Sequence, residues 1–120
     1  MSVKIERIAS NIVKEISYIL AYEVKDEDIK FVTVNDCKLA PDLSFAKIYV
    51  TVFDKEKINT TLKALNDAKG YIRKELASRI DVRHTPELEF VYDESLEYGK
   101  KIEDIIEQIH EDWHIINIML

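Results

Sequence analysis

The chain has little of several residue types on which common enzyme motifs depend. Its 120 residues include one cysteine, two glycines and two prolines. Because Cys37 is alone, it cannot form a disulfide within the chain, which is typical of proteins from reducing compartments. The two glycines, Gly70 and Gly99, stand far apart. The sequence therefore lacks the glycine-rich loop of P-loop enzymes and of Rossmann domains.

Long apolar runs are also missing. No stretch approaches the roughly 18 apolar residues that a membrane span needs. Residues 1–4 (Met-Ser-Val-Lys) do not begin an apolar segment of signal-peptide type. We therefore expect a cytoplasmic protein with no membrane partner.

Hydrophobic residues are plentiful, at 47% of the chain, and this excludes disorder as the default. A chain of this length can bury about two-thirds of the surface that its unfolded form exposes. No repeat, linker or low-complexity segment divides the sequence. We expect one domain over residues 1–120.

Hydrophobic periodicity predicts an α+β fold. The predicted elements are a helix over 3–24, strands over 29–37 and 45–53, helical periodicity over 55–80, a strand over 87–92 and an acidic helix over 95–117. The short turn at 39–42 makes the first two strands an antiparallel hairpin. The order α-β-β-α-α-β plus a C-terminal helix predicts a three-stranded sheet covered by helices on one face.

The segment 55–80 contains Gly70 in its interior. The apolar positions Leu65 and Ile72 lie seven residues apart, so the helical phase continues through the glycine. A glycine inside a helix costs roughly 1 kcal/mol relative to alanine, which suggests a kink or a close approach of backbone. One bent helix and two separate helices are both compatible with this pattern.

Positive charge is concentrated in this part of the chain. Residues 55–83 carry eight basic and four acidic side chains, a balance of +8 − 4 = +4, whereas the whole chain is −6. Residues 87–120 carry two basic and ten acidic side chains, a balance of −8. Cations gathered on one element are what a phosphate-backbone contact needs, although an ordinary solvated helix can carry the same charge.

One enzyme motif is present. His110-Glu111-Asp112-Trp113-His114 matches H-E-x-x-H, in which two histidines bind zinc and the glutamate acts as base. Only six residues follow His114, so the usual third ligand has no room. Two surface histidines near a helix end are the favoured interpretation, and we expect no enzyme, no metal and no cofactor.

With these elements in place, the chain resembles the ribosome-binding factor A family over nearly its whole length, to about residue 106. The segments that carry the resemblance are Asp42-Leu43-Ser44-Phe45-Ala46-Lys47-Ile48-Tyr49-Val50, Gly70-Tyr71-Ile72-Arg73-Lys74-Glu75-Leu76, Arg83-His84-Thr85-Pro86-Glu87-Leu88-Glu89-Phe90 and Asp93-Glu94-Ser95-Leu96. The resemblance implies a type II KH-like fold. It also implies that Ala68-Lys69-Gly70 forms the interhelical kink that replaces the GXXG loop with which KH modules clamp RNA.

By the same resemblance the protein would bind the free 30S subunit and 16S rRNA, and we expect it to be a monomer. It would support late 30S maturation and processing of the 16S rRNA 5′ end, most of all in the cold, without cutting RNA itself. We expect phosphate contacts from the basic residues around the kink, with two weaker candidates added. The candidates are Lys69, Arg73, Lys74, Arg79 and Arg83, and then Lys47 and His84.

Two alternatives stay open at this stage. The acidic last helix and the apolar tail over 115–120 favour a protein-interaction module that binds ribosomal proteins without contacting RNA. A zinc hydrolase using His110, Glu111 and His114 is the more remote alternative. The tail itself could pack under the sheet or mediate self-association.

Overall fold

The computed structural model describes residues 3–95 and 105–109. In this part of the chain the elements follow the predicted order. They are helix α1 (Val3–Tyr22), strands β1 (Val32–Leu39) and β2 (Phe45–Val52), helices α2 (Ile58–Asp67) and α3 (Lys69–Ala77), and strand β3 (Glu87–Tyr92). Two short 3-10 helices, Glu27–Ile29 and Lys55–Lys57, precede β1 and α2.

The described sheet is three-stranded and mixed, in the order β1-β2-β3. Strands β1 and β2 form the predicted antiparallel hairpin, with a bulge between Val34 and Asp36. Strand β3 pairs with β2 in parallel, from Phe45 opposite Glu87 to Val50 opposite Tyr92. The connection between these parallel strands runs through α2 and α3, which places both helices against the sheet.

One face of the sheet forms the core. Ala46, Ile48 and Val50 of β2 are fully buried, as alternation along the strand predicts. From the helices, Ile16 of α1 and Ile72 of α3 are equally buried. The opposite face carries partly exposed polar residues of β2, so the prediction of helices on one face is confirmed.

The predicted strand over 29–37 begins too early. Ile29 ends a 3-10 helix in which the Asp26 side chain accepts a hydrogen bond from the Asp28 N–H. Phe31 then has a φ of 61°, in the left-handed region, so the extended conformation starts only at Val32. An Asx-type cap that precedes an apolar run is difficult to distinguish from a strand start by periodicity alone.

The segment 55–80 contains two helices and not one bent helix. Ala68, with φ −88° and ψ −1°, is the single residue between α2 and α3. Its N–H donates to the Ala64 carbonyl and its own carbonyl accepts from the Ile72 N–H, each at 3.0 Å. Gly70 lies inside α3 with no positive φ. The helix break therefore does not depend on glycine's conformational freedom.

Only part of the predicted C-terminal helix is described. Residues 105–109 are helical, and Ile105, Ile106 and Ile109 are exposed there. Most of the acidic helix over 95–117, the His110–His114 motif, Gly99 and the tail over 115–120 lie outside the described residues. Among the helices that are described, none has the length and apolar character to cross a membrane.

Candidate nucleic-acid interface

A groove of about 520 Å³ opens between three parts of the chain. These are α3, the start of β3, and the segment over 83–86 that precedes β3, which we call the connector. The groove collects five of the seven predicted contact residues, together with Gly70. These five are Lys69, Arg73, Lys74, Arg83 and His84. Asp67 and Glu87 also line the groove. Four lysine and arginine side chains therefore stand against two carboxylates, and the net charge of the groove is +2.

Helix α3 positions the groove cations through its buried side. Ile72 and Leu76 are fully buried and fix the rotation of the helix against the sheet. At 3.6 residues per turn, Lys69 and Arg73 then lie one above the other on the groove side. Lys69 and Lys74 are exposed, as is Arg83 in the connector. These cations are held apart by the fold and are open to an incoming anion.

Arg73 is bound within the fold. Its Nη2 donates to the Thr85 carbonyl at 2.6 Å, and its Nε donates to the Pro86 carbonyl at 3.1 Å. The side chain is 33% exposed and approaches the Glu87 carboxylate at 3.7 Å. A planar guanidinium suits this two-carbonyl arrangement. Arg73 therefore joins α3 to the backbone of the two residues that precede β3.

Asn66, at the end of α2, also lines the groove and joins α2 to β3. Its Nδ2 donates to the Phe90 carbonyl at 3.2 Å, and its Oδ1 accepts from the Phe90 N–H at 3.1 Å. The side chain thus joins the last turn of α2 to β3. Sequence reasoning missed this residue because an asparagine in a helix gives no signal of a partner 24 positions later.

Arg79 lies outside the groove, against α1. It contacts the carboxylates of Glu15 at 3.7 Å and Glu23 at 3.4 Å, and its guanidinium carbon is 4.8 Å from the Tyr18 ring centroid. Its side chain is 26% exposed. These contacts join Arg79, two residues beyond the end of α3, to α1 and the residue that follows it. Its role as a phosphate contact stays a prediction.

Lys47 also lies elsewhere, on the open face of the sheet. In the register it stands between Lys38 of β1 and Glu89 of β3. The neighbouring Tyr49 ring has the Lys38 Nζ 5.4 Å from its centroid. Lys47 does not line the groove.

Gly70 gives the groove a bare stretch of backbone. A Cβ built at Gly70 meets nothing within 4 Å, and the residue is exposed. The side facing the groove is therefore open, and a phosphate or sugar can approach the helix backbone closely at this point. The described residues bring together no three His, Cys, Asp or Glu side chains that could hold a metal ion.

Comparison with known proteins identifies relatives over most of the chain. The sequence profile of the family described as ribosome-binding factor A matches residues 4–106. The ribosome-binding factor A of Staphylococcus carnosus is 47% identical over 106 residues, covering 88% of this chain and 92% of the relative.

Solved structures agree with this match. The crystal structure of ribosome-binding factor A from Thermus thermophilus is 28% identical with a TM-score of 0.64, covering 73% of this chain and 94% of that chain. A homology model of the Thermus thermophilus protein, fitted into the cryo-EM map of its complex with the 30S subunit, is 25% identical with a TM-score of 0.58. That alignment covers 79% of this chain and 97% of the other.

Proposed function

The chain belongs to the ribosome-binding factor A family, and on this basis we propose that it binds the free 30S subunit by placing 16S rRNA in the groove beside α3. The observation that carries the proposal is the net charge of +2 in this groove within a chain of net charge −6. A relative that is 25% identical to this chain has been fitted into a map of a 30S complex, which supports the same partner.

The contacts to phosphate are assigned to Lys69, Lys74 and Arg83, with His84 as a weaker contact. All four are exposed and line one groove. Arg73 is a positioning residue in this proposal, because its guanidinium is already bonded to the Thr85 and Pro86 carbonyls. Arg79 and Lys47 lie outside the groove and are removed from the leading set.

Binding through these phosphate contacts recognises the RNA backbone and its shape. KH modules with a GXXG loop hold single-stranded RNA by clamping its backbone. In this chain the corresponding loop is reduced to Ala68, so lysine and arginine side chains supply the attraction. The exposed Gly70 leaves room for the RNA backbone to reach α3.

The biological role that follows is assembly of the small subunit. The protein would act in the cytoplasm, support late 30S maturation and processing of the 16S rRNA 5′ end, and matter most in the cold, when misfolded RNA helices rearrange slowly. It would act by binding and not by cutting RNA.

Salt dependence of 30S binding tests the site. Each phosphate contact released should flatten the slope of log K against log salt by about 0.7 to 0.9. We expect this for Lys69→Ala, Lys74→Ala and Arg83→Ala. Lys63→Ala is the matched control, because Lys63 is exposed on α2 but does not line the groove. An unchanged slope for the triple variant would contradict the groove assignment.

Sedimentation tests the functional class. We expect the protein to migrate with free 30S subunits and to be absent from complete ribosomes. Crosslinking on the same fractions separates RNA contact from the alternative of a protein-interaction module, since adducts confined to ribosomal proteins would support that alternative.

A further inference from the structure

Two exposed phenylalanines project from the opposite end of the sheet. Phe31 is 77% exposed and Phe53 is 87% exposed, and their ring centroids are 6.1 Å apart. Phe31 immediately precedes β1 and Phe53 immediately follows β2. A pair of large apolar rings in mutual contact and open to water is a typical feature of an interaction surface.

The backbone that carries this pair is conformationally strained at Phe31. The φ of Phe31 is 61°, in the left-handed region that residues with a side chain rarely adopt. The Phe53 N–H donates to the Phe31 carbonyl at 3.2 Å and extends the hairpin by one bond. This hydrogen bond holds the two residues side by side, and we call their ring pair the Phe31–Phe53 knob.

The charges around the knob differ from those of the groove. Residues 25–31 and 53–57 carry four lysines and five carboxylates, a balance of +4 − 5 = −1, and all nine are exposed. A surface that bound RNA phosphates would require a cationic balance. An aromatic centre with a polar rim of both signs is instead the anatomy of a protein–protein contact.

We propose that the Phe31–Phe53 knob inserts into an apolar pocket on a protein of the small ribosomal subunit. The rings protrude, so the partner must supply the concave surface. The inference rests on the proposed function, because the partner is sought on the particle that the groove binds.

The two surfaces are placed for simultaneous contact. Strand β2 runs from Phe45, opposite the start of β3 at the groove, to Val52, next to Phe53. Eight residues at 3.3 Å per residue separate the two ends by roughly 20 to 25 Å. A rigid body with one RNA contact and one protein contact at this spacing binds a composite particle more tightly than either component alone.

Affinity for purified 30S subunits tests the knob. We expect Phe53→Ala to weaken binding roughly tenfold or more, as for a central aromatic anchor. The salt slope should stay unchanged, since an apolar contact releases no counterions. Tyr22→Ala is the matched control, because Tyr22 is 70% exposed and lies on α1. Wild-type affinity for Phe53→Ala would overturn the proposal.

A second variant separates binding from folding. Phe31→Gly removes the ring and also relieves the positive φ, so it should not destabilise the fold. We expect it to reproduce the loss of affinity with an unchanged or raised melting temperature. Wild-type affinity for this variant would also overturn the proposal.

Photo-crosslinking identifies the partner class. With benzoylphenylalanine in place of Phe53, adducts to a 30S protein support the proposal, whereas adducts to rRNA or to a second copy of this chain overturn it. If the wild-type protein does not bind 30S subunits, this proposal and the proposed function both fail. If the groove variants flatten the salt slope while Phe53→Ala binds normally, only the knob fails.

Discussion

The side chain of Asn66 both donates a hydrogen bond to the backbone of Phe90 and accepts one from it. It thus binds the backbone groups that a fourth strand would otherwise pair with. Its Nδ2 and Oδ1 pair with the Phe90 carbonyl and N–H at 3.2 and 3.1 Å, while the same Nδ2 donates to the Leu62 carbonyl at 3.1 Å. In the described sheet β3 is an edge strand. The amide satisfies two backbone groups of that edge where it passes under α2.

Removal of this amide should destabilise the protein. Asn66→Ala leaves the Phe90 N–H and carbonyl without their partners, and each unsatisfied buried group costs about 1 to 3 kcal/mol. We expect the free energy of unfolding to fall by about 2 kcal/mol, measured by urea denaturation. Asn59→Ala is the control, since Asn59 is exposed at the other end of α2. Equal midpoints for the two variants would contradict the bridging role of Asn66.

Arg79 should behave as a residue of the fold. Arg79→Ala leaves the half-buried Glu15 and Glu23 carboxylates without their cation and loses the contact with Tyr18. We expect a loss of about 2 kcal/mol of stability with no change in the salt slope of 30S binding. Arg79→Lys should recover only part of the stability, because an ammonium cannot reproduce the planar fork. A flattened salt slope would return Arg79 to the list of phosphate contacts.

Gly70 should separate stability from binding. Gly70 has a helical conformation and open space around its Cα, so Gly70→Ala should be neutral or stabilise the protein by up to about 1 kcal/mol. If RNA approaches the helix backbone here, the same change should weaken 30S binding. Thermal unfolding and 30S affinity measured on one preparation check both expectations. A loss of stability would show that Gly70 is needed to set the angle between α2 and α3.

Acid should weaken the contact between the end of β3 and β1. Asp93 accepts hydrogen bonds from the Ser95 N–H at 3.0 Å and from Asn35 Nδ2 at 2.9 Å. Hydrogen bonding by Ser95 and then by Asn35 lowers the pKa of Asp93 below its ordinary value of 3.8. A lowered folded-state pKa contributes stability that is present above pH 3.8 and is lost as the pH falls through the folded value.

An NMR titration of the Asp93 carboxyl carbon measures this shift directly. We expect a midpoint below 3.8 in the wild-type protein and a higher midpoint in Asn35→Ala. Equal midpoints in the two proteins would remove Asn35 as a cause.

Cys37 should be unreactive in the folded protein. Burial, followed in importance by the negative charge of Asp36, raises the pKa of the Cys37 thiol to about 12. The thiolate is the reactive form, so little of it exists near neutral pH. We expect Ellman's reagent to react slowly with the native protein at about pH 8 and rapidly in urea. A native rate equal to the denatured rate would contradict the burial of this side chain.

The sequence predicted the elements better than the partners of individual side chains. Alternation in β2 and the stripe of α1 follow from local periodicity, and both were predicted correctly. The carbonyls that bind Arg73 lie 12 and 13 residues away, and one of the carboxylates that bind Arg79 lies 56 residues away. No local pattern distinguishes these two arginines from the exposed Lys69 and Lys74.

The position of the helix break was also beyond local reasoning. Periodicity pointed only to the region of Gly70, whereas the family resemblance placed the kink at Ala68-Lys69-Gly70. The residue between the two helices is Ala68, whose backbone remains in the right-handed region. Leu65 of α2 and Ile72 of α3 are both fully buried, so the placement of the two helices follows from packing against the core. Such tertiary packing cannot be read from local sequence. The left-handed conformation of Phe31 was not predicted either, and the hydrogen bond that its carbonyl accepts comes from the distant Phe53 N–H.

The bulge between Val34 and Asp36 has a consequence for how copies of the chain meet one another. Strand β1 is an outer strand of the described sheet, and such strands are templates for aggregation through edge-to-edge pairing. The bulge interrupts the regular spacing of the outward N–H and carbonyl groups, and the exposed Asp36 and Lys38 place charges beside it. An approaching strand finds no continuous register along this edge. The interruption thus makes regular edge-to-edge pairing between two copies of the chain through β1 less favourable.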